Sequence, residues 1–411
     1  MRQNSLLLIT NSFPYGPGEQ FLETEVKYLA LAYETVIIIP MTIGENKRKV
    51  PENVKIINNH MYARYNKFYA LKYAVWSRLF WHEIVYRPSV LKRLSSIKLL
   101  IGSIGLAKMV FKEVHAELID QVAADFKGLT IYSYWLRPSA ILGCMLKEKY
   151  NTVKLVSRAH GGDLYEDRRS DNYLTLRKYL FSNIDLICPI SKNGAAYLEV
   201  KYNLPASKIS IFKLGVDDPK FTTKMSTIPN VFQLVSCSFL SPVKRLDLII
   251  QSLSKFGHLN ENCMVYWNHL GGGPDEKRLR GLTDKLPRNI RSRFWGSLPN
   301  KEILNYYSKN EVDLFINVSS SEGIPVSIME AQSFGIIVAA TNVGGVSEIV
   351  SNKNGFLLSS TPSIEEICEV FKEVATGIKA SREKKVASKM NWQKHYYAAH
   401  NYNSFINQAL R

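Results

Sequence analysis

The part of the chain richest in chemistry runs from Asn317 to Val350 and opens with Ser319-Ser320-Ser321-Glu322-Gly323-Ile324-Pro325. Its apolar patterning reads strand, loop, helix, strand, loop, helix. Pro325 suits the first turn of a helix, where a missing N–H costs nothing, and Gly323 lets the backbone come close to a ligand. A helix starting there offers free N–H groups and its positive dipole end around Gly323, Ile324, Pro325 and Val326, a seat for a diphosphate. Glu330, further along the same helix, can reach a ribose diol with both carboxylate oxygens, and Glu322 would lie in the loop near a transferred sugar. Each glutamate taken alone reads equally as a solvated surface residue.

Three further groups stand at the ends of predicted strands. His160 lies in Ser157-Arg158-Ala159-His160-Gly161-Gly162-Asp163-Leu164-Tyr165. His-Gly-Gly also occurs in esterase oxyanion loops, but the chain has no G-x-S-x-G nucleophile elbow, so that chemistry is excluded. Gly16 and Gly18 in Pro14-Tyr15-Gly16-Pro17-Gly18-Glu19 permit close backbone approach, although a plain strand-to-helix turn explains them nearly as well. Gly271-Gly272-Gly273-Pro274 follows another strand. No D-x-D pair occurs and the histidines lack ligand spacing, so the expectation is no bound metal and no cofactor.

The segment Glu322-Gly-Ile-Pro-Val-Ser-Ile-Met-Glu330-Ala-Gln-Ser-Phe-Gly335 closely resembles the E-x7-E segment of family 4 glycosyltransferases, and nearly the whole chain resembles that family's exopolysaccharide- and capsule-building members. The resemblance implies the GT-B fold, two doubly wound Rossmann-like α/β domains facing across a cleft, and transfer with retention of configuration. It makes Lys244, with Arg245 beside it, the cation that neutralises the donor diphosphate, and a departing diphosphate does need one. An arginine usual to the family five residues before this lysine is replaced here by Phe239. His160 resembles the cleft histidine lining the donor sugar, and catalysis is assigned to Glu322, His160 and Lys244. Gly271, Gly272 and Gly273 resemble a donor-side loop, with Phe294-Trp295-Gly296 near the base. The loop of Gly16, Gly18 and Glu19 resembles one on the acceptor side, where Trp135, Asp163 and Tyr165, with Arg137, would meet the acceptor.

Elements that can position these groups follow from length and pattern. At 411 residues, with 46% apolar and 22% charged residues, the chain is an ordinary globular one long enough for two domains. Strands are predicted at 5–10, 35–40, 129–134, 154–158, 186–189 and 208–212, then at 232–236, 264–269, 290–295, 314–317, 336–340 and 355–358, alternating with helical patterns. Domains are expected at 1–214 and 215–390, with an aromatic-faced helix in 391–411 packing back on the first. The five cysteines are scattered, never C-x-x-C, and fit a reducing compartment. The start reads as a strand and not a signal peptide, and the apolar run at 99–107 is cut by Lys98 and Lys108, short of the roughly 18 to 20 residues of a spanning helix.

The net charge of +17 is concentrated between Lys47 and Lys112, where the only acids are Glu52 and Glu83. Its cations alternate with Tyr62, Tyr65, Phe68, Tyr69, Tyr73, Trp76, Phe80, Trp81 and Tyr86. Single-stranded nucleic acid or a plain core with solvated charges would fit this composition, but docking of 47–112 on an anionic membrane surface fits a lipid-linked acceptor better, and no nucleic-acid partner is expected. The expected protein is a cytoplasmic, peripherally membrane-associated transferase moving sugar from a nucleotide donor, UDP above others, to a sugar or lipid-linked acceptor. A nucleotide-sugar epimerase or hydrolase, or a binding protein without turnover, is the alternative. Donor sugar, linkage and oligomeric state are not written in the sequence.

Overall fold

The computed structural model describes residues 3–16, 18–57, 67–122, 129–150 and 154–411. Tyr62, Arg64 and Tyr65 of the basic aromatic segment lie outside the described residues. The chain forms two compact units, 1–213 with 402–411, and 214–401.

The first unit is built on six parallel strands, β1 (Gln3–Thr10), β2 (Tyr33–Pro40), β3 (Val54–Ile56), β4 (Thr130–Ser133), β5 (Lys154–Ala159) and β6 (Leu186–Pro189), in the order β3-β2-β1-β4-β5-β6. Its central strands are near-continuous apolar runs, as strands covered on both faces must be. Alternate residues divide between two cores: Leu7, Ile9, Ile37 and Ile131 join the helices Leu94–Val122 and Pro138–Tyr150, while Leu6, Leu8, Val36 and Tyr132 meet the helix Leu22–Ala32 and the chain end. The chain end is anchored by Phe405, whose ring lies 5.1 Å from that of Tyr132 and 4.0 Å from the buried guanidinium of Arg158. Tyr396 and Tyr397, by contrast, lie with the second unit.

The second unit repeats the plan with β7 (Val231–Cys237), β8 (Met264–Leu270), β9 (Ile290–Phe294), β10 (Leu314–Asn317), β11 (Ile337–Thr341) and β12 (Gly355–Leu358), ordered β12-β11-β10-β7-β8-β9. Counted within each unit, both sheets run 3-2-1-4-5-6, the doubly wound Rossmann order, so the expected fold class stands. In such sheets the strand order reverses beside the first strand, and the gap at the carboxyl ends there receives ligands. Those points are β1/β4 and β7/β10.

Two strand assignments change. β3 is too short a run to carry an alternation and was not expected. The segment 208–212 is not a strand: after a 3-10 turn at Ala206–Lys208 it follows β6 through only Ser210 N–H to Ile187 and Phe212 N–H to Pro189, both 3.1 Å. The helix Leu94–Val122 is longer than its sequence suggested, and within it Leu94–Val114 is long and apolar enough to cross a membrane by length and composition. Its stripe Leu100, Ile104, Ala107, Val110 and Val114 is nonetheless core of the first unit.

Candidate active site

At the β7/β10 reversal, the loop 238–245 leaves β7 and the loop 318–325 leaves β10. They are fastened together by Ser320 N–H donating to Val243 at 2.8 Å, and by Arg245. Arg245 holds φ at +49°, and its guanidinium donates to the carbonyls of Val318 (2.6 Å), Ser319 (3.0 Å) and Ser360 (3.1 Å). Those bonds give Arg245 a loop-shaping role through its Nε and one Nη, while the guanidinium keeps its charge beside Lys244. Lys244 pairs with the acid of the neighbouring loop, its Nζ lying 2.5 Å from Glu322 Oε1. Asn317, at the end of β10, supports the same oxygen at 3.4 Å and takes the Ser319 N–H at 3.0 Å.

Pro325 is the N-cap of the helix Val326–Ser333, one position earlier than the first turn. The N–H groups of Val326 and Ser327 have no partner within the helix, as at any helix start. Gly323 accepts the Gly345 N–H at 2.9 Å, which fixes the turn, and Ile324 is buried beneath it. Glu330 is buried, and its Oε1 accepts from Asn300 Nδ2 at 2.5 Å. Burial pushes its carboxyl up to about 7 against the opposing Asn300 bond.

The glycine loop after β8 has an internal reason for its composition. A Cβ at Gly271 (φ +142°) would stand 2.0 Å from the Ser238 carbonyl oxygen, and one at Gly273 would stand 2.5 Å from that of Leu240. Gly272 accepts the Leu240 N–H at 3.0 Å. The loop thus lies directly on the strand end carrying Lys244. Trp295, beyond β9, donates to Asn268 at 2.9 Å, and Phe294 is buried.

At β1/β4 a second glutamate dominates. Glu19, at φ +55°, accepts the N–H groups of Asn11 (3.0 Å), Ser12 (2.7 Å) and Phe13 (2.6 Å), and Trp135 Nε1 at 2.5 Å. Its carboxylate is therefore occupied in holding the loop, and not open to an acceptor as expected. Gly16 has φ +66°, and Arg48 binds the carbonyls of Gly16 (2.6 Å) and Gly18 and the carboxylate of Glu23 (3.1 Å). Asp163 joins the loops after β4 and β5, accepting from Leu136 N–H (2.9 Å) and His160 N–H (2.8 Å). Burial opposes ionisation of Asp163, but the His160 side chain, Arg137 and the Leu136 N–H outweigh it and hold the carboxyl low.

His160 itself is buried against Trp135 (4.4 Å between centroids) and Tyr134 (4.7 Å). Neither ring nitrogen has a hydrogen-bond partner among the described residues, Nδ1 standing 3.7 Å from Asp163 Oδ2. Tyr165 is a core residue, 4% exposed, with its hydroxyl on Asn193 at 2.6 Å. Sequence reasoning missed Asn300, Asn317 and Arg48. A strand-end position marks Asn317; nothing local marks the other two.

Residues 224–387, which contain the whole second sheet with Lys244, Glu322 and Glu330, match the family described as Glycosyl transferases group 1. A protein of Escherichia coli (strain K12) named for colanic acid biosynthesis as glycosyltransferase WcaL is 28% identical over 279 residues, 64% of this chain and 68% of that one. The amylovoran biosynthesis glycosyltransferase AmsK of Erwinia amylovora is 23% identical over 368 residues, 86% of each chain. In fold, the crystal structure of Anabaena Alr3699/HepE in complex with UDP superposes over 98% of this chain and 99% of its own, with a TM-score of 0.67 at 15% identity. The match to the group 1 model falls within the second unit, the fold is GT-B, and the enzyme class is glycosyltransferase of the hexosyl type.

Proposed function

We propose that the protein is a retaining, metal-independent glycosyltransferase that moves a sugar from UDP to a sugar or lipid-linked acceptor in cell-surface polysaccharide synthesis. The observation that carries this reading is the β7/β10 strand end, where Lys244 and Glu322 meet at 2.5 Å before the first turn of Val326–Ser333. An arriving diphosphate takes Lys244 and the first-turn N–H groups, and Glu322 is released toward the sugar. As the bond from the anomeric carbon to the diphosphate breaks, charge builds on the leaving oxygen, and Lys244 and the helix dipole offset it. The acceptor oxygen bonds to the same carbon on the face the diphosphate leaves, and its proton passes to the departing diphosphate oxygen. His160, whose ring nitrogens have no hydrogen-bond partner among the described residues, is the first unit's candidate for a sugar hydroxyl. UDP is favoured because Alr3699/HepE binds it in the same fold, and a polysaccharide acceptor because WcaL and AmsK carry polysaccharide names.

Incubation with UDP-sugars and a lipid-linked acceptor, analysed by mass spectrometry and NMR, tests the reading. A glycoside of retained configuration, formed undiminished in EDTA, is expected. Free or epimerised sugar would instead mark a hydrolase or epimerase, and binding without product a non-catalytic protein.

Docking of the first unit on an anionic membrane is part of the proposal. Phe68, Trp76, Trp81 and Val85 are exposed, whereas among the described residues of the ring series only Phe80 packs in the core. Arg48, Arg87 and Arg93 hold internal partners, which leaves the lysines Lys67, Lys72, Lys92 and Lys98 for the surface. Flotation with phosphatidylglycerol vesicles checks this: binding unchanged after those four lysines become glutamate rejects it.

A further inference from the structure

The first unit contains a cavity of about 800 Å³ that none of the site residues above lines. It lies between the helix Arg78–Tyr86, the helix Arg177–Asn183 and the end of Lys192–Tyr202. Its cations are Arg87, Arg177, Lys178, Lys201 and Lys208; its acids are Glu83 and Glu166. The acids do not cancel that excess. Glu166 is gripped by Arg87 at 2.6 and 3.1 Å. Glu83 is turned to Tyr173 and Leu176, whose O–H and N–H it accepts at 3.0 and 3.2 Å, and burial raises its carboxyl.

Arg177 is the decisive group. It is only 4% exposed, its two Nη atoms bond the carbonyls of Leu136 (3.1 Å) and Asp163, and its Nε lines up no partner among the described residues. Two carbonyls leave its positive charge unneutralised, and no ion pair to Arg177 occurs among the described residues, so an anion in the cavity is favoured. Lys178, 4.3 Å above the Tyr86 ring, and Lys201 stand exposed at the rim. A second cavity of about 270 Å³ shares Arg87 and adds Lys92 and Arg93. On the helix that walls the larger cavity, Trp81 and Val85 are turned outward, 56% and 81% exposed.

We propose that this cavity holds the phosphate or diphosphate head of an amphiphilic lipid, with the head between Arg177, Lys178 and Lys201 and the hydrocarbon along Trp81 and Val85. Phosphate oxygens accept from guanidinium and ammonium groups at once, and an apolar chain leaving the cavity past Tyr86 meets Trp81 and Val85, which do not line the cavity, uncovered on the outer side of the same helix. The inference deepens the lipid-linked acceptor reading and rests on it.

Titration of the full chain with farnesyl diphosphate, with inorganic pyrophosphate and, in parallel, with UDP decides it. Lys178→Glu with Lys201→Glu, both surface changes, should weaken farnesyl diphosphate about tenfold or more, with UDP affinity unchanged. Trp81→Ser with Val85→Ser should weaken farnesyl diphosphate and leave pyrophosphate alone. Unaltered farnesyl diphosphate binding in the lysine variant overturns the site. Pyrophosphate binding as tightly as farnesyl diphosphate makes it a free-phosphate site and overturns the lipid. A wild-type chain that binds farnesyl diphosphate but not UDP upholds the cavity and counts against the donor reading of the second unit.

Discussion

The same sheet order is used twice, yet the two reversal points hold their glutamates in opposite ways. At β1/β4, Glu19 is saturated by the N–H groups of Asn11, Ser12 and Phe13 and the indole of Trp135, a set no ligand could replace without unmaking the loop. At β7/β10, Glu322 meets one ammonium, with side-chain exposures of 21% for Lys244 and 11% for Glu322. A pair still reached by water can be exchanged for another ion pair at small net cost. Topology therefore supplies two equivalent gaps, and the side chains make one a fixed scaffold and the other an exchangeable seat.

The largest effect that tests this contrast is on turnover. Lys244→Ala should lower kcat/KM by about a hundredfold to a thousandfold, roughly 3–4 kcal/mol of lost charge stabilisation in the transition state. Its unfolding free energy should stay within about 1 kcal/mol of wild type. Glu322→Ala should lose transfer too, and the double variant should lose less than the product of the two, because each change removes the same contact. Full activity in Lys244→Ala would defeat the exchangeable-seat account. Glu19→Ala should behave the other way, destabilising the first unit by about 3 kcal/mol through unmade N–H bonds. Faster amide hydrogen exchange at Asn11, Ser12 and Phe13, with unchanged UDP affinity, is the expected signature.

Glu330 gives a pH-dependent version of the same comparison. Its carboxyl sits at about 7 in the folded chain, above the usual 4.5, because burial disfavours the charge. A raised carboxyl favours folding fully below the unfolded value, and that contribution is lost as pH rises through the folded one. The second unit should therefore lose about 2 kcal/mol between about pH 5 and 7.5, and Glu330→Gln should flatten the slope. Thermal unfolding across that range, with exchange resolving the two units, measures it; a wild-type curve already flat would place the carboxylate in water.

What could be read in advance depended on whether neighbours in sequence settle the outcome. The central strands are apolar on both faces, so Leu6–Ile9 and Val36–Ile39 announce themselves, and the loop and helix around Glu322 and Glu330 are a single local unit. β3 is too brief for periodicity, and 208–212 has strand composition but only two bonds to its neighbour. Arg48 and Asn300 reach their partners through tertiary packing alone. Ring composition likewise could not say which side of Arg78–Tyr86 turns inward: Phe80 and Glu83 do, and Trp81 and Val85 do not, the reverse of an ordinary apolar stripe.

The smallest expected effect refines the seat itself. Phe239 is 60% exposed on the loop leaving β7, at the place where the resemblance led one to expect an arginine. With Arg245 bound to carbonyls, Lys244 is the cation on that loop that pairs with a carboxylate. Phe239→Arg should add a further, solvent-screened cation and tighten UDP about threefold, which is below 1 kcal/mol. The gain should vanish in high salt, since charges in water are screened within about 3 Å at 1 M. In a Lys244→Ala background the new arginine should recover part of the lost affinity and little of the lost rate, because it meets the diphosphate from solvent and not from the strand end. Equal recovery of rate and affinity would show that the seat needs only net charge, and that the placement of Lys244 against Glu322 contributes nothing.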